Sequence, residues 1–152
     1  MHRVICGLIL GLIVPVLAAA GDGAARREDE PLRGNWKAMS FQHKGQDAPI
    51  EEAQQADFTI EADGKLTLAM NSEKRKFSYV TDPDKAPKTI DITFEEGPLH
   101  GTKQYGIYKL EGDRLTLCLA APKSAAEDRP KEFSTADKDY VLFVLQRIDP
   151  NK

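Results

Sequence analysis

Apolar residues occupy every second position in five separate segments of this chain. The alternating residues are Phe58 and Ile60; Leu66, Leu68 and Met70; Phe77 and Tyr79; Ile90, Ile92 and Phe94; and Leu115, Leu117 and Leu119. Because successive side chains of a β-strand point to opposite faces, each segment predicts a strand with one apolar face and one polar face. These apolar faces need a shared interior, and that need constrains the fold more than any other feature of the sequence.

Turn residues separate the alternating segments. Ala62-Asp63-Gly64 and Glu111-Gly112-Asp113 predict tight hairpins, and the proline-containing stretch 82–87 predicts a turn that ends the strand before it. Further strands are predicted at 36–41, 104–110 and 140–146, which brings the total to about eight. Strands of this number and spacing predict an all-β fold, an antiparallel up-and-down barrel.

Two other segments stand apart from the alternating strands. One short helix is predicted at 49–55, with Asp47 as its cap. The connection 120–139 is long for a compact domain, so we expect it to be functional, for example as a lid over the barrel, with Phe133 holding it to the domain. The last strand is apolar on both faces over 140–145, so we expect the helix, the long connection or another molecule to cover its second face.

The first 20 residues have the features of a secretory signal peptide. A basic start at His2 and Arg3 is followed by an apolar run from 4 to 17 and by Ala18-Ala19-Ala20. Because the run is shorter than the roughly 20 residues that span a bilayer, we predict cleavage after Ala20 and no membrane span in the mature chain. A retained membrane anchor is the alternative. Export predicts a periplasmic or extracellular location, and the sequence does not distinguish the two.

The composition of the mature chain indicates its domain organisation and limits its possible partners. Residues 21–31 are small or charged and predict a flexible tether, and 32–149 predict a single domain. Removal of the leader leaves Cys118 as the one cysteine, so stability must come from the apolar core instead of an internal disulfide. The 21 basic and 24 acidic residues are interspersed, which argues against a nucleic-acid partner because that would need a basic stripe.

No residue set predicts catalysis or metal binding. His43 and His100 are far apart in sequence, and no spacing typical of a zinc site is present. Cys118 alternates with leucines inside a strand, which indicates a small packing residue or a half-exposed thiol without activity, and not a nucleophile. We therefore predict no catalytic residue, no metal ligand and no cofactor, and a hydrolase is the enzyme alternative. The oligomeric state is left open.

An ordered set of short motifs resembles a family of exported domains of unknown function, of the type found in planctomycetes. The motifs are GNWK at 34–37, DPDKAPKTIDIT at 82–93, EGP at 96–98, GIYKL at 106–110, GD at 112–113, LTLCLA at 115–120, Arg129-Pro130 with Phe133, and LFVLQR at 142–147. They cover nearly all of 32–147. Since the family has no assigned activity, the resemblance implies no site residues.

A second resemblance, to lipocalins, concerns shape. Gly34-x-Trp36 on the first strand and Arg147 on the last look like the closed end of a lipocalin barrel, where a basic residue covers the indole. A guanidinium over an indole is a favourable cation–π contact, and closing a barrel brings the first and last strands together. The alternative is that Trp36 is an ordinary core residue and that Arg147 is solvated.

Aromatic residues on the predicted strands are the candidates for a ligand pocket. They are Phe58, Phe77, Tyr79, Phe94, Tyr105 and Tyr108. An eight-stranded barrel has an interior that side chains can fill or that can hold one small ligand. The first hypothesis is therefore a binding domain for a small apolar or amphipathic molecule. The alternative is a protein-interaction or accessory domain of the cell envelope with a filled barrel.

Overall fold

The computed structural model describes residues 30–136 and 138–148 of the 152-residue chain. The predicted leader, the predicted tether up to residue 29 and residue 149 lie outside the described residues. The strands are β1 Gly34–His43, β2 Gln46–Asp47, β3 Asp57–Ile60, β4 Lys65–Met70, β5 Glu73–Asp82, β6 Lys88–Phe94, β7 Lys103–Glu111, β8 Arg114–Ala120 and β9 Tyr140–Ile148. A one-turn helix, α1, spans Ile50–Ala53, and 3-10 turns lie at Glu30–Leu32 and Ala126–Asp128. Within the described residues, every helix is too short to span a bilayer.

The strands form a closed antiparallel barrel. Strand β1 pairs with β3, each later strand pairs with the next, and β9 pairs back with β1, so that eight strands close the ring. Strand β2 adds a ninth strand, with two residues, beside the end of β1. The predicted all-β, up-and-down barrel of about eight antiparallel strands is confirmed.

Alternating apolar residues form the core of the barrel. Leu115, Leu117 and Leu145 are fully buried, and Ile90 and Ile92 of β6 are nearly so. Each of these side chains points to the inner face of its strand, and all of them belong to one cluster. Burial of these side chains is the main contribution to the stability of the fold.

The two ends of the barrel differ. At the closed end, short turns join β3 to β4, β5 to β6 and β7 to β8, and the 3-10 turn at Glu30–Leu32 precedes β1. At the open end lie the longer connections 44–56, 95–102 and 121–139, together with the tight turn 71–72 between β4 and β5. In an up-and-down barrel this difference follows from the strand directions, and it leaves the open end as the place where loops can shape a site.

The short helix differs from its prediction at the cap. Helix α1 is shorter than predicted and begins after Pro49, which makes no side-chain capping hydrogen bond. Asp47, the predicted cap, lies instead in β2, where its carboxylate accepts a hydrogen bond from Gln42 at 3.0 Å. Because Asp47 lies in β2 and bonds Gln42 of β1, its side chain does not cap the helix.

The turn between β4 and β5 supports a testable prediction about stability. Asn71 and Ser72 both have positive φ values, 51° and 67°, as the two central residues of a tight hairpin require. Serine adopts this conformation at an energetic cost, whereas glycine does not. We expect Ser72→Gly to raise the free energy of unfolding by about 0.5–1 kcal/mol in urea denaturation. The control is Ser78→Gly inside β5, which should lower that free energy by at least the same amount, because a strand interior disfavours glycine and the side-chain hydrogen bond to Glu95 is lost. A loss in both variants would contradict the assigned turn.

Candidate functional site

The indole of Trp36 closes one end of the barrel. The ring is fully buried, and its Nε1 donates a hydrogen bond to the carbonyl oxygen of Leu32 at 2.9 Å. The guanidinium carbon of Arg147 lies 4.1 Å from the ring centroid, and the two residues are partners in the β1–β9 ladder. A cation over the face of an indole is stabilising, so this contact joins the first strand to the last.

Arg147 also ties the entering chain to the closed end. Its Nη1 and Nη2 donate to the carbonyl oxygens of Arg33 and Pro31, and its Nε donates to Asp113 at 3.2 Å. Gly34 leaves the room for this side chain, because a Cβ there would lie 2.8 Å from the Arg147 Nη1. The φ of Gly34, +140°, also disfavours any other residue. The closed end is therefore a structural anchor.

Three adjoining cavities lie at the open end. The widest, of about 730 Å³, lies between the start of β5 and the connection 95–102. The second, of about 230 Å³, lies at the turn 71–72, and the third, of about 70 Å³, lies against α1. Glu73 and Arg75 border both the first and the second, while Leu68 and Met70 border both the second and the third. We call these three neighbouring cavities the mouth cleft; its main bordering side chains are Phe41, Leu68, Met70, Glu73, Arg75, Phe94, Leu99 and Phe143.

Aromatic rings form the deeper walls of the mouth cleft. In the narrow part, the rings of Phe41 and Phe143 lie 4.9 Å apart, and Phe58 meets Phe143 edge-on from behind at 5.2 Å. In the wide part, Phe77 backs Phe94 edge-on at 5.0 Å. Edge-to-face pairs of this kind hold aromatic side chains in fixed orientations. The apolar walls are therefore supported by a second layer of rings from the barrel core.

The charged groups of the mouth cleft lie near its rim. Arg75 is on the inner face of β5, because its partner in the ladder is Leu68. Its Nη2 lies 3.5 Å from a carboxylate oxygen of Glu73, and both side chains are largely exposed. The carboxylate of Glu96 accepts a hydrogen bond from the backbone of Lys76 at 3.2 Å. The Arg75 guanidinium thus borders an apolar cavity, and within the described part of the chain its ion-pair partner is Glu73, at a distance that indicates a weak interaction.

The predicted pocket residues lie at different depths. Phe94 borders the wide part of the mouth cleft, and Phe58 and Phe77 lie one layer behind its walls. Tyr79 and Tyr108 are buried in the core, and the hydroxyl of Tyr79 donates to the carbonyl oxygen of Glu61 at 2.9 Å. Phe58, Phe77, Tyr79 and Tyr108 do not border the mouth cleft. A binding role for them stays a prediction.

Tyr105 lies outside the barrel. It pairs across the sheet with Asp91, whose side chain is on the outer face. The Arg129 guanidinium lies 5.2 Å from the Tyr105 ring centroid, donates to Asp91 at 2.7 Å and also donates to the carbonyl oxygen of Gly106 at 2.8 Å. Tyr105 therefore packs against Arg129 on the outer face of the barrel and does not face the interior.

The long connection lies along the outer wall. We call residues 121–136 together with 138 and 139 the strap. Pro130 and Thr135 of the strap are fully buried, and Phe133 lies under the ammonium group of Lys109 at 4.9 Å. At the rim, the hydroxyl of Thr135 donates to Gln42 at 2.6 Å. The strap thus differs from the lid expected from the sequence, because it covers strands from the outside instead of crossing the open end.

The strap explains why outward-facing residues of β7 and β8 are buried. Ile107 and Cys118 are partners in the ladder and point away from the core, yet their exposed fractions are only 1% and 0%. The Cys118 thiol donates a long hydrogen bond to the carbonyl oxygen of Ser134 at 3.8 Å. On β9, the outward-facing Leu142 and Val144 are half-buried. The strap therefore covers the outer face of β7 and β8 at Ile107 and Cys118, whereas the outer face of β9 stays partly exposed.

Burial of Cys118 predicts a specific loss of stability at high pH. Burial raises the pKa of the thiol from 9.0 to about 11. Because the folded-state pKa lies above the unfolded-state value, this contribution is complete below pH 9 and is lost as the pH rises through 11. We expect the free energy of unfolding to fall more over this range in the native chain than in Cys118→Ala, measured by urea denaturation. Parallel curves for the two proteins would contradict this.

Two surface carboxylates, Asp139 and Glu95, each have a hydrogen-bonding side chain and a lysine nearby. His43 contacts Asp139 at 2.8 Å, and this hydrogen bond, together with Lys44, lowers the pKa of Asp139. A hydrogen bond from Ser78, and then Lys65, lowers the pKa of Glu95. Among the residues that the structure describes, no group of three or more His, Cys, Asp or Glu side chains is placed to hold a metal ion.

Comparison with known proteins gives limited information. No family model matches the chain, and no curated protein matches it. A solved structure that matches is that of a DUF4847 family protein from Bacteroides vulgatus, with 15% sequence identity and a TM-score of 0.48 over 81% of this chain and 99% of that one. A likeness of this size carries no argument about the fold or the function of this chain. The resemblances to the planctomycete-type family and to lipocalins stay predictions.

Several bordering residues of the mouth cleft were not predicted from the sequence. Among them, Arg75 and Glu73 lie two and four positions before Phe77, and so share its face of β5. Extending the alternation of Phe77 and Tyr79 backwards would have placed both on the inner face. The polar character of residues 73–76 obscured this signal.

Proposed function

We propose that this chain is an exported β-barrel domain that binds one small apolar or amphipathic molecule in the mouth cleft. The observation that carries the proposal is the row of adjoining cavities at one end of the barrel, with apolar walls and a few charged groups at the rim. Ligand sites are usually concave and mostly apolar, with a small number of polar groups that fix orientation. Export rests on the basic, apolar and small-residue pattern of the first 20 residues.

The packed core supports binding at the end of the barrel instead of along its axis. Trp36, Leu115, Leu117 and Leu145 are fully buried. Space for a ligand is therefore found at the ends of the barrel: the apolar mouth cleft lies at the open end, and a more polar groove of about 450 Å³ lies at the closed end beside Gly34 and Glu61. The apolar walls favour the mouth cleft for an apolar ligand. A ligand in the mouth cleft would contact rings that the core already holds in place, so binding would need little reorganisation.

The packed core also favours the alternative function, an interaction or accessory domain of the cell envelope. Under that alternative, the expected contact surface is either the apolar outer face of β9 or the long connection. The strap packs beside this face of β9, and Leu142 and Val144 are half-buried. This leaves the alternative with less apolar contact surface than the sequence predicted, and the binding function is the better supported of the two.

The test is binding of a neutral apolar fluorescent probe, N-phenyl-1-naphthylamine, to the full chain and to Met70→Trp. Met70 borders two of the three cavities and is partly exposed, so a larger side chain there fills the cleft without entering the core. We expect about tenfold weaker binding, equivalent to the loss of roughly two buried methylene contacts. The matched control is Val80→Trp on the outer wall, where the side chain is 70% exposed and binding should not change. Absence of binding by the native chain, or equal binding by both variants, would contradict the proposal.

A further inference from the structure

We infer that the mouth cleft binds a single-chain amphiphile with an anionic head group, with the head at Arg75 and the chain lying across the open end of the barrel. The inference rests on the proposed function and adds the chemical class of the ligand and its direction. It depends on the shape of the cleft, the position of one arginine and the charges around it.

The shape of the cleft favours an extended chain. Its three parts are about 730, 230 and 70 Å³, and neighbouring parts share bordering residues. The row therefore narrows from a wide outer part to a small inner part between Phe41, Phe143 and α1. A rigid, bulky molecule would occupy only the wide part, whereas a flexible chain can follow the narrowing row.

The position of Arg75 favours an anionic head. Arg75 borders both the wide and the middle cavities, and it lies on the same strand face as Phe77. Its ion pair with Glu73 is at 3.5 Å, longer than a strong charge-assisted hydrogen bond, so the planar guanidinium keeps donors for a ligand. A guanidinium binds carboxylate, sulfate and phosphate groups through two parallel hydrogen bonds.

The surrounding charges agree with this orientation. Three cations, Lys74, Arg75 and Lys76, border the wide cavity against two carboxylates, Glu73 and Glu96. The Glu96 carboxylate is already used by the backbone N–H of Lys76. Lys74 and Lys76 alternate with Arg75 along β5 and so lie on its outer face. Arg75 is therefore the β5 cation that faces the apolar wall, where it can bind an anion joined to a hydrocarbon chain.

The direction of the chain follows from the packing of the core. The side chains at the barrel axis, among them Leu115, Leu117 and Leu145, are fully buried. A tail that starts at Arg75 can instead follow Leu68 and Met70 towards Phe143, across the open end.

The experiment measures the affinity of the full chain for dodecanoate, 1-dodecanol and dodecyltrimethylammonium by calorimetry. The two ionic probes are kept below their micelle concentrations and dodecanol below its solubility limit. These three probes share one chain and differ in head-group charge. We expect dodecanoate to bind best, and Arg75→Gln to weaken dodecanoate about tenfold while leaving dodecanol unchanged. The control is Lys88→Gln, which removes the same charge from an exposed position at the closed end and should have no effect.

Chain length tests the direction of the tail. In the native chain, affinity should rise about fourfold for each added methylene until the tail fills the narrow part of the cleft. Ala53→Leu places a larger side chain at the narrow end, where Ala53 is buried against the cavity. We expect this variant to bind octanoate normally and dodecanoate more weakly. An equal loss for both acids would overturn the proposed direction.

The outcomes separate the inference from the proposed function. If all three dodecyl probes bind equally and Arg75→Gln changes nothing, the anionic head is wrong and the binding function stands. If the cationic probe binds best, Glu73 and not Arg75 receives the head, and the inference is overturned. If neither these probes nor the neutral fluorescent probe binds, the proposed function falls and the inference falls with it.

Discussion

Replacing Trp36 with alanine is expected to lower the free energy of unfolding by about 4 kcal/mol. The indole is fully buried, its Nε1 bonds the carbonyl oxygen of Leu32 at 2.9 Å, and Arg147 lies over its face at 4.1 Å. The substitution therefore leaves a large cavity at the closed end, removes a buried hydrogen bond and takes away the surface on which the guanidinium lies. Because the chain has one tryptophan, unfolding in urea should be followed by circular dichroism.

The matched control is Trp36→Phe, which keeps an aromatic ring beneath Arg147. It loses the hydrogen bond to Leu32 and part of the buried area, so we expect a smaller loss of about 2 kcal/mol. A loss of less than about 1 kcal/mol for the alanine variant would show that the closed end does not anchor the barrel.

Replacing Gly106 with alanine is expected to lower the free energy of unfolding by about 3 kcal/mol. A Cβ at this position would lie 2.3 Å from the Leu119 Cδ2 and 2.7 Å from the Cys118 carbonyl oxygen. The leucine side chain can rotate, but the carbonyl belongs to the paired strand β8, so β7 and β8 would have to separate. The separation would also disturb the hydrogen bond that Arg129 donates to the Gly106 carbonyl oxygen at 2.8 Å.

Gly101→Ala is the control for this prediction. Gly101 has a φ of +78°, and a Cβ at this position would meet no atom within 4 Å beyond its chain neighbours. Alanine there therefore causes backbone strain of about 1 kcal/mol and no clash. The double variant Gly106→Ala, Leu119→Ala should recover little stability, because the Cys118 carbonyl remains in the way. Losses of equal size at Gly101 and Gly106, measured in urea, would contradict a close approach of β7 and β8.

The sequence was sufficient for the strands whose inner faces lie in the core. Alternation located β3, β4, β6 and β8, because burial of one face selects apolar residues at every second position. The same logic failed for the first part of β5, where residues 73–76 are polar. These residues lie at the open end, beyond the packed core, so no burial selects for apolar side chains there. Strand β2 has only two residues and carries no periodic signal.

The residues of the candidate site were harder to predict from the sequence than the strands were. Alternation identifies the face of a strand but not its depth along the barrel, because depth depends on strand tilt and stagger. For this reason Tyr79 and Tyr108 could not be separated from Phe94, although they are buried in the core and Phe94 borders the cleft. The outward orientation of Tyr105 could have been predicted from the sequence. It lies three positions before Tyr108 on the same strand, so the two side chains point to opposite faces.

The path of the strap could not be derived from the sequence. Its anchors are contacts between residues far apart in the chain, such as Arg129 with Asp91 and Thr135 with Gln42. Composition identified a long connection with one large apolar residue, Phe133, but gave no information about which strands it would cover. Cys118 gave one indication that the outer face of β8 is covered, because cysteine is among the residue types most often buried.

The most direct test of the account is an NMR titration of the isotopically labelled full chain with dodecanoate. The central claim is that the open end receives the ligand while the closed end and the strap serve the fold. We expect amide shifts to concentrate at 68–75, 94–99 and around Phe41 and Phe143, with the amides of Trp36, Tyr105 and Arg129 unchanged. Shifts concentrated at the closed end or along the strap, or no shifts at all, would contradict the account.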